Sequence, residues 1–167
     1  PSFTNTIWNA SSGFTGLSYL ANKNNYVNAS AGPAVAFNCL AVNQNYLFYY
    51  DGYSVAAYNK NTGGTLATTN TGLSVRQQGG IAVDDCNNVY VGGNGSIRCF
   101  SFNGTSFSTL TAIPLSTGGT YEYVYDVQIN RVTKVLYVSG SGFVANYSAV
   151  HSNSCSPAPV QNPCNFG

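Results

Sequence analysis

Short runs rich in Val, Ile, Tyr, Phe and Thr alternate with polar residues along most of the chain, and Asn-Gly, Asp-Gly or Gly-Gly pairs separate them. A two-residue period with that punctuation marks strands joined by tight turns. No window sustains the i, i+3, i+4, i+7 apolar spacing of an amphipathic helix, because Gly or Asn interrupts each candidate. The pattern predicts an all-β chain.

Three segments share one plan: CLAVNQNYLFYYDGYSVAAYN (39–59), GIAVDDCNNVYVGGNGSIRCFSFNG (80–104) and DVQINRVTKVLYVSGSGFVANYSA (126–149). Each opens with a short apolar strand, crosses a polar turn, enters a Tyr-rich strand, turns at Gly and closes with an apolar and aromatic strand. From Leu40 to Ile81 is 41 positions and from Ile81 to Val127 is 46, the size of a propeller blade of four antiparallel strands. In the middle copy the predicted strands are 81–84, 89–92, 96–102 and 105–110. Two-residue turns at Asn94-Gly95 and Asn103-Gly104 would join the last three, since Gly and Asn accept positive φ cheaply. The first copy reads as 40–42, 46–50, 53–58 and 65–69. The third lacks an evident fourth strand, because the chain after Ala149 becomes HSNSCSPAPVQNPCNFG, a Pro- and Cys-rich linker or strap.

The division that follows is residues 1–36 as an irregular or partial blade, 37–150 as propeller-like repeats (about 39–70, 80–110 and 126–149) and 151–167 as linker or strap. A closed propeller has four to eight blades. The repeats are therefore expected to belong to a larger ring, or to close a different architecture such as a β-sandwich.

Composition narrows the function. Charged residues make up 7% of the chain, against roughly 25% in an ordinary soluble domain, so the surface is hydroxyl and amide. Six basic residues scattered through 167 positions offer no patch for phosphate, which argues against nucleic acid. No apolar run approaches the roughly 20 residues of a membrane helix, so membrane insertion is not expected. The start at Pro1 reads as a processed chain or a piece of something larger. Five cysteines, with no Cys-x-x-Cys pair and one histidine, suit disulfides in an oxidising, extracellular setting better than zinc.

Few residues carry chemistry. Asp84 and Asp85 read as turn residues, which cap turns through their own side chains. They do not read as calcium ligands, because the aligned turns NQN and NRVTK keep no carboxylate. Glu122 and Asp126, beside the third inner strand, form the one acid pair placed for glycoside chemistry. His151 sits in the polar tail, and the Gly-rich turns precede no helix that could hold phosphate. No catalytic residue, metal site or cofactor is therefore assigned.

Within a four-stranded blade, the turn after the first strand and the end of the third share an edge, which makes Cys86 and Cys99 candidates for a disulfide. Cys155 and Cys164 bracket the Pro-rich tail and form the second candidate pair, leaving Cys39 over. Tyr46, Tyr49, Tyr50, Tyr53, Tyr121 and Tyr123 are the candidate binding aromatics, since tyrosine joins apolar area to a polar tip; inter-blade packing is the plainer use for them, and Trp8 fits either. Asn-x-Ser/Thr sequons at Asn9, Asn28, Asn94, Asn103 and Asn146 are about what so Asn- and Ser-rich a chain carries by chance.

The repeats also resemble known families. GGIAVDDCNNVYVGGNGSIRCF resembles the NHL-type propeller repeat, and DGYSVAAYNKNTGGTL the related pyrroloquinoline-quinone and YVTN types. VLYVSGSGFVANYSA resembles the short propeller repeats of very large surface proteins of Bacteroidota, among them gliding-motility adhesins and other cargo of the type 9 secretion system. That resemblance implies a non-enzymatic extracellular module of a large secreted or cell-surface protein, acting as spacer or adhesive element. Its partners would be other domains of the same chain, cell-surface or secretion proteins, and glycans. A self-contained lectin-like protein is the alternative.

Overall fold

The computed structural model describes residues 39–73, 79–115, 123–140 and 143–151. Within them, eleven strands form three antiparallel sheets in which sequence neighbours pair. The first sheet holds β1 (Leu40–Val42), β2 (Tyr46–Tyr50), β3 (Ser54–Asn59) and β4 (Thr65–Asn70). The second holds β5 (Ile81–Val83), β6 (Asn88–Gly92), β7 (Ser96–Phe102) and β8 (Phe107–Pro114), and the third β9 (Val124–Asn130), β10 (Val135–Gly140) and β11 (Phe143–Ser148).

The first strands stand side by side, β5 between β1 and β9, while the outer strands β4 and β8 also touch. That is the packing of propeller blades fanned about their inner strands. It differs from a sandwich, where two sheets share one core: here the middle sheet buries both faces, with a separate core on each. Ile81, Val83, Val89, Val91, Phe100 and Phe102 pack against Phe48, Tyr50, Val55 and Ala57 of the first blade. From the opposite face, Ala82, Tyr90, Ile97 and Cys99 pack against Val124, Val127, Leu136 and Val138 of the third. This double burial explains why β5 and β6 read as nearly unbroken apolar runs.

Aromatic rings fill the junction of blades one and two. Phe102 meets Tyr46 at 5.0 Å and Phe48 at 5.8 Å edge-on, and lies 4.9 Å from Phe107. Such pairs add about 0.5–1.5 kcal/mol each beyond the burial itself.

Two of the expected hairpin turns are longer than two residues. The loop after β6 spans 93–95 and the loop after β7 spans 103–106. Only the glycines, Gly95 (φ 67°) and Gly104 (φ 101°), take positive φ. Asn103 instead keeps an ordinary backbone and uses its side chain, whose Oδ1 accepts from the amides of Thr105 and Ser106 at 2.9 and 2.8 Å. Strand β8 consequently starts at Phe107 and runs on to Pro114, beyond the expected 105–110.

The third blade has three strands among the described residues. After β11 the chain turns back toward blade two, where the His151 ring lies 2.8 Å from the Thr111 carbonyl and the His151 carbonyl accepts from Asn88 Nδ2 at 2.9 Å. The expected partial blade at 1–36, and the linker or strap beyond His151, lie outside the described residues.

Candidate functional site

The ends of the three inner strands repeat one device. Asn43, Asp84 and Asn130 each follow the last apolar residue of the first strand of their blade. Asn43 Oδ1 accepts from the amides of Asn45 and Tyr46, both at 3.0 Å. Asn130 Oδ1 accepts from Val132 and Thr133, both at 3.0 Å. Asp84 Oδ1 accepts from Cys86 and Asn88, both at 2.8 Å. An oxygen on a two-atom stem can satisfy backbone donors that a turn leaves bare, and Asn and Asp supply it equally well. The turn reading of Asp84 is what these bonds describe. The shared oxygen was present in NQN, DDCNN and NRVTK, and comparing acceptors instead of charges would have found it.

Asp84 goes further than its counterparts. It is fully buried, and its Oδ2 accepts from Asn88 Nδ2 at 2.8 Å and from the Tyr90 hydroxyl at 3.2 Å. Asn43 reaches across the blade junction, its Nδ2 donating to the Asp84 carbonyl at 3.0 Å and to Asn87 Oδ1 at 2.8 Å.

Arg131, one of six scattered basic residues with nothing local to mark it, ties all three blades together from the β9–β10 turn. Its Nε donates to the Val83 carbonyl at 3.2 Å, Nη2 donates to the Val42 carbonyl, and Nη1 lies 3.6 Å from Asp85 Oδ1. These carbonyls end β5 and β1, and Arg131 lines a cleft of about 310 Å³ together with inner-strand residues, including Ala41, Ala82 and Gln128. A planar fork of donors suits this role, and a lysine would reach fewer acceptors. Arg131→Met is expected to lower stability by about 2–3 kcal/mol, as charged hydrogen bonds are lost and carbonyls are left without donors. Arg131→Lys should recover less than half of that in urea unfolding. An unfolding midpoint unchanged in Arg131→Met would show that the three-blade contact carries no weight.

The other expected site residues fall mostly into structural positions. Tyr50 is fully buried, donating its hydroxyl to the Gly52 carbonyl at 3.1 Å. Tyr46 packs in the aromatic cluster. Tyr49 is buried on the other face of the first blade with Ala56 and Tyr58, and that burial, with Cys39 and Asp51 nearby, raises its hydroxyl pKa well above the ordinary value. Tyr53 is 52% exposed. Tyr123 is half-buried and its backbone bridges to Asn94. Tyr121, Glu122, Trp8, Asn9, Asn28, Cys155 and Cys164 lie outside the described residues, so the Glu122 and Asp126 pair is seen only at Asp126. There, Oδ1 accepts from the Val127 amide at 2.9 Å, and both carboxylate oxygens lie within 3.4 Å of Gln128 Nε2.

The Cys86–Cys99 pairing is corrected. Cys99 is a buried free thiol, whereas Cys86 is disulfide-bonded. The end of β7 does meet the β5–β6 turn, but at Phe102, whose amide donates to the Asn87 carbonyl at 3.0 Å. Cys99 lies three residues back along the strand, roughly 10 Å away at 3.3 Å per residue, beyond the roughly 4.4–6.8 Å that a disulfide spans. It pairs instead with Tyr90 and Leu110. Burial pushes its thiol up to about 12, partly opposed by a backbone hydrogen bond from the Ile113 position. Cys39, the expected leftover, is also a free thiol.

No family model matches the chain, and no curated protein matches it. Among solved structures, a WD40-type propeller chain in the crystal structure of a mitotic checkpoint complex superposes with a TM-score of 0.50 over 64% of this chain, at 13% identity. The match spans 33% of that chain's length. At this identity the likeness concerns the fold, and it agrees with the blade-like sheets.

Proposed function

We propose that this chain is a non-enzymatic β-propeller module of a large secreted or cell-surface protein, serving as a rigid spacer or adhesive element. One observation carries the reading: among the described residues, the acids and the histidine are held in structural contacts. Asp84 and Asp51 cap turns, the latter through the amides of Tyr53 and Ser54. Asp85 pairs with Arg131, and the His151 ring lies against the Thr111 carbonyl. Contact through loops and exposed aromatics on a weakly charged scaffold is the mechanism left to such a surface.

The partners proposed are neighbouring domains of the same large chain, surface or secretion proteins, and glycans, with an extracellular location. The likeness of the repeats to those of type 9-secreted surface proteins supports that setting. A self-contained lectin is the second reading, and the exposed face of the third blade favours it in part. The intact mass of the native polypeptide, with and without reductant, tests the proposal. A chain many times larger than 17.6 kDa is expected; a mass close to that value would rule out the large-protein module.

A further inference from the structure

The three blades carry matching cross-strand rows. In the first blade the row is Ala41, Phe48, Ala57 and Ala67; in the second, Ala82, Tyr90, Cys99 and Leu110. Both look toward the next blade and sit in the two main cores. The corresponding row of the third blade is Gln128, Tyr137 and Asn146, and all three residues are exposed. The central aromatic is kept, but the small apolar flanks have become amides. Directly opposed side chains in an antiparallel sheet stand about 5 Å apart on one face, so Tyr137 lies between two amides.

From this row we infer that the open face of the third blade binds a neutral saccharide. A pyranose has an apolar C–H face and a rim of hydroxyls. The Tyr137 ring, 49% exposed, offers the apolar platform, and an amide carries both donors and an acceptor for the rim. A packing surface for another blade would repeat the alanines and cysteine of the first two rows, because an amide buried without partners costs about 1–3 kcal/mol. The neighbouring row, Asp126, Ser139 and Val144, adds one carboxylate, which positions Gln128 through its Nε2 and disfavours an anionic sugar. The inference rests on the adhesive part of the proposed function and supplies the class of its target.

The test is a printed array of neutral and acidic oligosaccharides probed with the full chain, followed by calorimetric titration of the best neutral glycan. Binding should favour neutral glycans. Tyr137→Ala should weaken it by about tenfold, the upper end of what an aromatic contact contributes. Tyr137→Phe should stay within about twofold, Gln128→Ala should weaken binding, and Tyr53→Ala, on another blade, should leave it unchanged. Tyr137 is half exposed, so a thermal melt of Tyr137→Ala close to wild type confirms that the fold is intact. Three results would overturn the inference: no neutral glycan bound at millimolar concentration, Tyr137→Ala binding as well as wild type, or self-association of the chain that only Tyr137→Ala removes. None depends on the mass of the native polypeptide, so the two proposals fail separately.

Discussion

Replacing Gly80 with alanine should destabilise the protein by about 3–5 kcal/mol and lower its melting temperature by roughly 10–15 °C. Gly80 leads into β5 where backbone hydrogen bonds join blades two and three. Its carbonyl accepts from the Gly92 amide at 3.1 Å, while the Gly79 amide donates to the Val124 carbonyl at 2.7 Å and the Val124 amide to the Gly93 carbonyl at 3.0 Å. A Cβ on Gly80 would lie 2.4 Å from the Val127 nitrogen and 2.6 Å from the Asp126 Cα. Both are backbone atoms that cannot rotate aside, so β9 would have to move as a whole. The residue also holds φ at 80°, which costs an L-amino acid about 1–2 kcal/mol alone.

Gly95 separates the two costs. It has φ 67°, and a Cβ there would meet nothing within 4 Å, so Gly95→Ala should show the conformational penalty by itself. Gly92 gives the opposite control, with its Cβ 1.9 Å from the Gly79 carbonyl oxygen and a clash expected without any positive φ. Chemical denaturation of the three variants measures the difference. If Gly80→Ala is no worse than Gly95→Ala, the close backbone contact between the blades does not hold in solution.

The same contrast explains how much could be read from the chain. Strand positions are local: Leu40–Val42, Tyr46–Tyr50 and Ser96–Phe102 lie where alternation and turn residues put them, because each strand had apolar residues on the face or faces it buries. The hairpin loops are one or two residues longer than the Asn-Gly dipeptides suggest, since an Asn can serve a turn through its backbone or its side chain and the dipeptide does not say which. Cys99 was misplaced for a related reason. Blade topology brings the end of β7 to the first turn, but which residue arrives there depends on register, and register is fixed by both neighbouring strands.

Site residues were harder still. Arg131 is one of six basic residues, and nothing local shows that its fork reaches two other blades. Tyr137 holds the place in its strand that Phe48 and Tyr90 hold in theirs. What distinguishes it is that no sheet among the described residues packs on its face, which is a property of the assembled sheets. The density of tyrosines near the first hairpin belongs largely to packing: Tyr50 fills a core and Tyr46 an aromatic cluster.

Removing the Asp84 carboxylate should be the other severe change. Asp84→Ala leaves the amides of Cys86 and Asn88, the Asn88 side-chain amide and the Tyr90 hydroxyl without the acceptor they share. At about 1–3 kcal/mol for each buried donor that finds no substitute, and with some of them rebonding, a loss of about 3–5 kcal/mol is expected. Asp84→Asn should cost far less, about 1–2 kcal/mol. Its Oδ1 can still cap the turn as Asn43 and Asn130 do in the sister blades, and the cost falls on the Oδ2 side, where an NH₂ would face the donors of Asn88 and Tyr90. The order wild type, Asp84→Asn, Asp84→Ala in urea midpoints is therefore the prediction. Equal losses in both variants would mean that negative charge matters more than the acceptor geometry. Calcium supplies the second axis of the test. If Asp84 works as a turn cap, millimolar calcium should leave the melting temperatures of all three proteins where they were. A calcium-dependent rise in the wild type that Asp84→Asn abolishes would instead make the acid a ligand, since an ion needs the charge that a turn does not.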